Sequence, residues 1–236
     1  MAHFDINTGM LVANAGETER ASFIRRTYLH LGGAILAFAG LETLLVKSGV
    51  AESFLNVLKG NSWMWLIVMV MFMGVSYIAD RWAHSPISKE MQYAGLGAFV
   101  VAEAIVFMPM IYIAQQFAPD ILGHAILLTL MLVGGITFTA FTTRKNFSFL
   151  GPILSMGSWI ALGVILASAL FGFTLGAVFS GIMILFAAAA VLYSTSNIIH
   201  EYHTEQHVAA SLSLFSSVGL LFWYILQFLM SLAGDD

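Results

Sequence analysis

Seven stretches of this chain are each long enough and apolar enough to cross a lipid bilayer, which limits the fold more than any motif does. A span needs about 20 mainly apolar residues, because a helix rises about 1.5 Å per residue across a hydrocarbon core about 30 Å thick. The stretches run over Thr27–Val46, Trp63–Ala79, Met91–Ala114, Ile121–Thr142, Phe149–Phe171, Phe173–Ile199 and Val208–Leu232. Lipid offers no water to backbone N–H and C=O groups, so segments of this kind satisfy themselves as helices. The chain is 59% hydrophobic and only 9% charged, too little charge to keep a domain of this size in water. The expected fold is an all-α integral membrane protein, a seven-transmembrane helix bundle whose first partner is the lipid bilayer.

Charge sets the orientation. Arg20, Arg25, Arg26, Arg81, Lys89, Arg144 and Lys145 fall on the side of the N-terminus, against Lys47 and Lys59 opposite. Cytoplasmic loops carry the excess of Lys and Arg, so the N-terminus is expected in the cytosol. Seven complete crossings would leave Asp235 and Asp236 outside, and a last segment that re-enters is the alternative. Met1–Arg26 lacks the apolar core of a signal peptide and reads as a cytosolic tail (1–26) ahead of one transmembrane domain (27–236). A net charge of −4 with no basic block gives no nucleic-acid footprint. With no cysteine there is neither disulfide nor thiolate metal site.

Polar residues inside the apolar stretches are the candidates for function. The sixth span opens with Gly172, Gly176 and Ser180, a four-residue spacing that lets helix backbones approach closely. That spacing, with the tight joint at Gly172, predicts a hairpin of spans five and six. The same span ends polar, in Ser194-Thr195-Ser196-Asn197. Glu103 stands near the middle of the third span, where a charged carboxylate costs about 2.5–3.5 kcal/mol on insertion scales. Its neighbours three and four residues away (Phe99, Val100, Val106 and Phe107) are apolar. A partner must come from another helix, or the acid is neutral. Glu42 lies a turn from the end of span one and reads as interfacial. His30 and His124 sit near span ends as hydrogen-bonding groups. Ser213, Ser217, Tyr224 and Gln227 share one stripe of span seven, with Ser216 and Trp223 on a neighbouring face. A helix polar on two faces suits a position surrounded by protein.

The cluster His200, His203 and His207 is a weak metal candidate, since the zinc-protease spacing would need a histidine at Thr204. It reads first as a hydrated loop that responds to pH. Enzyme chemistry finds no footing: every aspartate lies in a loop or tail, and no serine has a placed base. No phosphate-binding glycine loop is present, no lysine follows Lys145, and no cofactor is implied.

Three segments together resemble the Bax inhibitor-1 (transmembrane Bax inhibitor motif, YccA-like) family, in a bacterial form. They are Ser22-Phe23-Ile24-Arg25-Arg26-Thr27-Tyr28, the run from Thr142 to Gly151, and Leu192 to Ile199. The resemblance extends from Ser22 to about Leu232. It implies six helices around a central seventh, in a bacterial inner membrane, and a role in ion homeostasis as a pH-sensitive calcium leak channel. It also implies, for some bacterial members, binding to a membrane-embedded ATP-dependent protease. The family gate is an aspartate pair on helices six and seven. Here the first position is Ser194, the second is Phe215 or Ser216, and the fourth-loop aspartate is Asn146. Two functions follow. One is a pathway for calcium ions or protons using Glu103, Ser194, Asn197, Ser213, Ser216 and Ser217. The other is a non-conducting regulator that binds a protease or other membrane partner.

Overall fold

The computed structural model describes residues 9–60, 62–86 and 88–234. Asp235, Asp236 and the first eight residues of the tail lie outside that set. Among the described residues, seven long apolar helices are capable of spanning a membrane. They are α1 (Glu17–Lys47), α3 (Ser62–Ala83), α4 (Lys89–Phe117), α5 (Pro119–Thr143), α6 (Leu150–Phe171), α7 (Ala177–His200) and α8 (His207–Ala233). A shorter helix, α2 (Val50–Gly60), lies between α1 and α3.

Burial sorts the helices into inner and outer ones. In the most apolar window of each, 72% of α8 and 56% of α4 is buried, against 6% for α3 and for α6. The last helix therefore sits inside the bundle, and its serines explain why: lipid on every side would leave them without partners. Its core residues Leu214, Leu221 and Leu226 are fully enclosed. Ser211 on α8 donates to the Thr27 carbonyl of α1 at 2.8 Å and to His207 at 2.6 Å, which fixes the entry of α8 against α1.

Several boundaries differ from those expected. The first helix begins at Glu17 instead of Thr27. Glu17 and Glu19 fall in its first turn, where acids favour the positive helix end, and Phe23, Thr27, Leu31 and Ala34 form one buried stripe. The joint after Lys47 is largely helix α2, which packs on α1, α3 and α4.

The hairpin of α6 and α7 is looser than expected. Gly172, in the left-handed region at φ 74°, ends α6, and α7 starts only at Ala177. A Cβ at Gly172 or Gly176 would meet nothing within 4 Å. The two helices approach instead at Gly157 and Gly151, against Phe186 and Tyr193 of α7. Ser180 is fully buried and donates to the Gly176 carbonyl at 3.3 Å.

At the end of the bundle that carries the N-terminus, called here the near face, the chain closes on itself. Val12 N–H donates to the Tyr202 carbonyl and Thr204 N–H to that of Met10, both at 2.9 Å. Val12 is fully buried, and the Arg20 guanidinium donates to the carbonyls of Val12, Ala13 and Ala15. The last stretch before α1 is thus a strap across the loop joining α7 to α8.

Candidate functional site

Two polar regions lie along α8. The first is a hydroxyl cluster near the near face. Ser194 of α7 hydrogen-bonds Ser217 at 2.8 Å and Ser213 at 3.3 Å, both on α8. These serines meet because a four-residue step returns to the same helix face, and Ser217 also donates to the Ser213 carbonyl at 3.0 Å. Burial raises the Tyr202 phenol above the ordinary value, and the Ser213 side chain offsets part of that rise. The buried Oδ1 of Asn197, a turn along α7, has no hydrogen-bond partner.

Among the described residues, Ser194 hydrogen-bonds neither of the two candidates for the helix-seven position. Phe215 is buried among aromatic rings, 6.1 Å from both Phe38 and Phe99, and Ser216 is partly buried.

A clasp holds α7 at this level. Phe147 N–H donates to Ser196 Oγ at 2.9 Å, and that hydroxyl faces the Lys145 carbonyl at 3.5 Å. Two of the segments quoted above, one from the loop after α5 and one from α7, thereby fit together. Arg144 makes the turn possible by ending α5 at φ 50°, and Asn146 Oδ1 accepts from Ser148 N–H at 2.8 Å.

The second region surrounds Glu103, which is 4% exposed. Its Oε2 has no hydrogen-bond partner. The carboxylate packs against Gly219 of α8, in the space a Cβ there would fill. Absence of a side chain at Gly219 is therefore what lets an acid occupy the bundle centre. Glu103 lines a cavity of about 260 Å³ bounded by α1, α4, α5 and α8.

Glu42 lines the same cavity, near the end of α1. It is 4% exposed, and neither carboxylate oxygen has a hydrogen-bond partner. Hydropathy locates Glu42 near a helix end, and its side chain there faces the neighbouring helices.

The histidines do not gather. His200 Nδ1 pairs with the Ser196 carbonyl at 3.0 Å, and His203 with Gln206. The His207 ring lies 5.0 Å from that of His30, which in turn stacks on Tyr93. Among the described residues no three His, Asp or Glu side chains could hold a metal ion together.

Charge at the near face is paired across helices. Lys89, at the start of α4, reaches Glu205 in the loop before α8 at 2.9 Å. Its hydrogen bond holds the Glu205 carboxyl below the ordinary carboxylate value. A depressed carboxyl contributes stability above its unfolded-state pKa and loses it as pH falls through the folded one. The stability difference between wild type and Glu205→Gln should thus be present at neutral pH and vanish in acid, as read by thermal midpoints. Because the pair is exposed, the effect should stay below about 1 kcal/mol. On α3, Asp80 lies 3.3 Å from His84, and its hydrogen bond raises that imidazole above the usual value.

The architecture is that of a multi-pass integral membrane protein, a seven-helix bundle with its polar last helix innermost. Residues 20–234 match the family model described as "Inhibitor of apoptosis-promoting Bax1". The chain belongs to the Bax inhibitor-1 family. It is 27% identical to the uncharacterized protein PA2604 of Pseudomonas aeruginosa, over 95% of this chain and 96% of that one. It is also 26% identical to Bax inhibitor 1 of Schizosaccharomyces pombe, over 95% and 82% of the two chains. To Protein LIFEGUARD 4 of Arabidopsis thaliana it is 30% identical, over 88% and 83%. No solved structure matches it at a significant level.

Proposed function

We propose that this protein is a pH-sensitive leak pathway for small cations, protons before calcium, running beside α8. The pathway leads from the cavity past Glu103 toward the cluster of Ser194, Ser213 and Ser217. The observation that carries the reading is Glu103, an enclosed acid with an unpartnered oxygen, held where Gly219 makes room on the innermost helix. Buried acids inside a membrane bundle are costly and mark proton or ion paths. Protons come first because hydroxyls alone make a poor site for a hard cation, which takes six to eight oxygens with carboxylates among them. The bacterial relatives and the bias of Lys and Arg favour an inner membrane with the N-terminus in the cytosol. Glu103→Gln, which keeps shape and removes the titrating proton, should cut proton leak in proteoliposomes at least tenfold and flatten its pH dependence. Unchanged leak across a pH series would sink the reading.

A second reading has one observation in its favour. A groove of about 820 Å³ runs between α1 and α4, floored by small residues that include Gly33, Ala37, Gly40 and Gly97. Such a surface suits a partner helix, as a regulator of a membrane-embedded protease would need. That reading predicts copurification with a membrane partner and no intrinsic flux, so the same liposome measurement separates the two.

A further inference from the structure

A path through Glu103 alone leaves Glu42 unexplained. Two acids from different helices, each 4% exposed and each with at least one oxygen lacking a hydrogen-bond partner, line one cavity. The remaining walls are almost wholly apolar, with the rings of Phe38, Phe215 and Phe222 among them. Buried carboxylates without partners call for a positive charge or a proton. The walls decide which kind of charge.

A hard metal ion fits badly, for it needs six to eight oxygens. Beyond the two acids, the side-chain oxygens of the lining are the neutral ones of Thr43, Gln115 and Thr129. An organic cation has the opposite needs. Its charge is diffuse and weakly hydrated, its carbon substituents want apolar walls, and ring faces add cation–π attraction. One carboxylate neutralises it, and the cavity is close to the size range of small-molecule sites.

We propose that this cavity binds a small lipophilic cation, a quaternary or aromatic ammonium, in competition with protons carried by Glu42 and Glu103. Entry is open from two sides. Thr43 and Gln115 are exposed lining residues at the end of the bundle away from the N-terminus. Ile126 and Leu130 of α5 are 46% and 56% exposed and border the lipid. Glu42 on α1 and Glu103 on α4 are the titratable groups in the lining, and the α5 and α8 walls contribute none.

The test uses the full chain in nanodiscs of zwitterionic lipid and radiolabelled benzyltrimethylammonium, followed by equilibrium dialysis. Saturable binding of one cation per chain is expected, weakening about tenfold for each pH unit once protons occupy the acids. Neopentylbenzene, the same shape with carbon in place of the charged nitrogen, should not compete. Glu42→Gln should weaken binding at least tenfold, Glu42→Asp should retain most of it, and Glu42→Gln with Glu103→Gln should abolish it. Equal affinity in the double variant, competition by neopentylbenzene, or displacement by equimolar calcium would each overturn the assignment. Binding is read without any flux, so the result is separate from the fate of the leak pathway.

Discussion

Gly95→Val should leave little folded protein, and Gly95→Ala should lower stability by about 3 kcal/mol, the upper part of the range for overpacking. A Cβ at Gly95 would lie 2.5 Å from the Ala79 carbonyl oxygen and 2.7 Å from the Ala83 nitrogen, both backbone atoms of α3. Neither can swing aside as a side chain would. The alternative is to move α3 off α4 along a contact that Ala79 and Ala83, each fully buried, make close. Alanine gains about 1 kcal/mol over glycine in helix propensity, and the clash outweighs that gain. Gly97, two residues along the same helix, supplies the control: nothing stands within 4 Å of a Cβ there. Gly97→Ala should therefore be neutral or slightly stabilising. Unfolding in mixed micelles titrated with SDS and followed by tryptophan fluorescence would measure both variants. Equal midpoints for the two alanine variants would mean that α3 and α4 do not meet at Gly95.

Gly95 also marks what could be read from the chain and what could not. Apolar length reports on the bilayer, so the seven spans and the class of fold were legible from hydropathy alone. The inner position of α8 followed from serines on two of its faces, which lipid would not accept. Close contacts were another matter. The spacing of Gly172, Gly176 and Ser180 identifies small residues but not their neighbours, and the true approaches lie at Gly95, Gly151 and Gly157. Those depend on which helix stands opposite, a fact held by tertiary packing.

Glu42 shows the same limit. Depth along a helix is a one-dimensional property and gave a position near the membrane surface, whereas the cavity depends on which way the residue faces around the helix axis. Glu103 was visible because an acid in mid-span is anomalous in any orientation. Its reciprocal partner, Gly219, gave no sign, since a glycine matters there only for the atoms it lacks.

Ser194→Asp together with Ser217→Asp should create a calcium site at the contact of α7 and α8. The two hydroxyls stand 2.8 Å apart, and Ser194 and Ser217 are 4% and 8% exposed. Carboxylates in their place would be close enough to share a proton or to clasp one hard cation. Without either, two enclosed negative charges side by side would cost several kcal/mol, so the variant should be markedly less stable than wild type at alkaline pH without calcium. Calcium at a hundred times its dissociation constant should return about 2.7 kcal/mol, seen as a rise in thermal midpoint that fades in acid as protons replace the metal. The wild type, with hydroxyls only, should show no such rise. Two further pairs test the geometry: Ser194→Asp with Phe215→Asp, and Ser194→Asp with Ser216→Asp. Phe215 packs among aromatic rings, and among the described residues Ser194 hydrogen-bonds Ser213 and Ser217 but not Ser216, so both pairs should gain far less calcium response. A stronger response from either would show that α7 and α8 face each other differently. Failure of all three would mean that carboxylates cannot meet at this helix contact. Success at Ser217 alone would mean that the choice between hydroxyl and carboxylate sets the ion chemistry of this contact while leaving its packing intact.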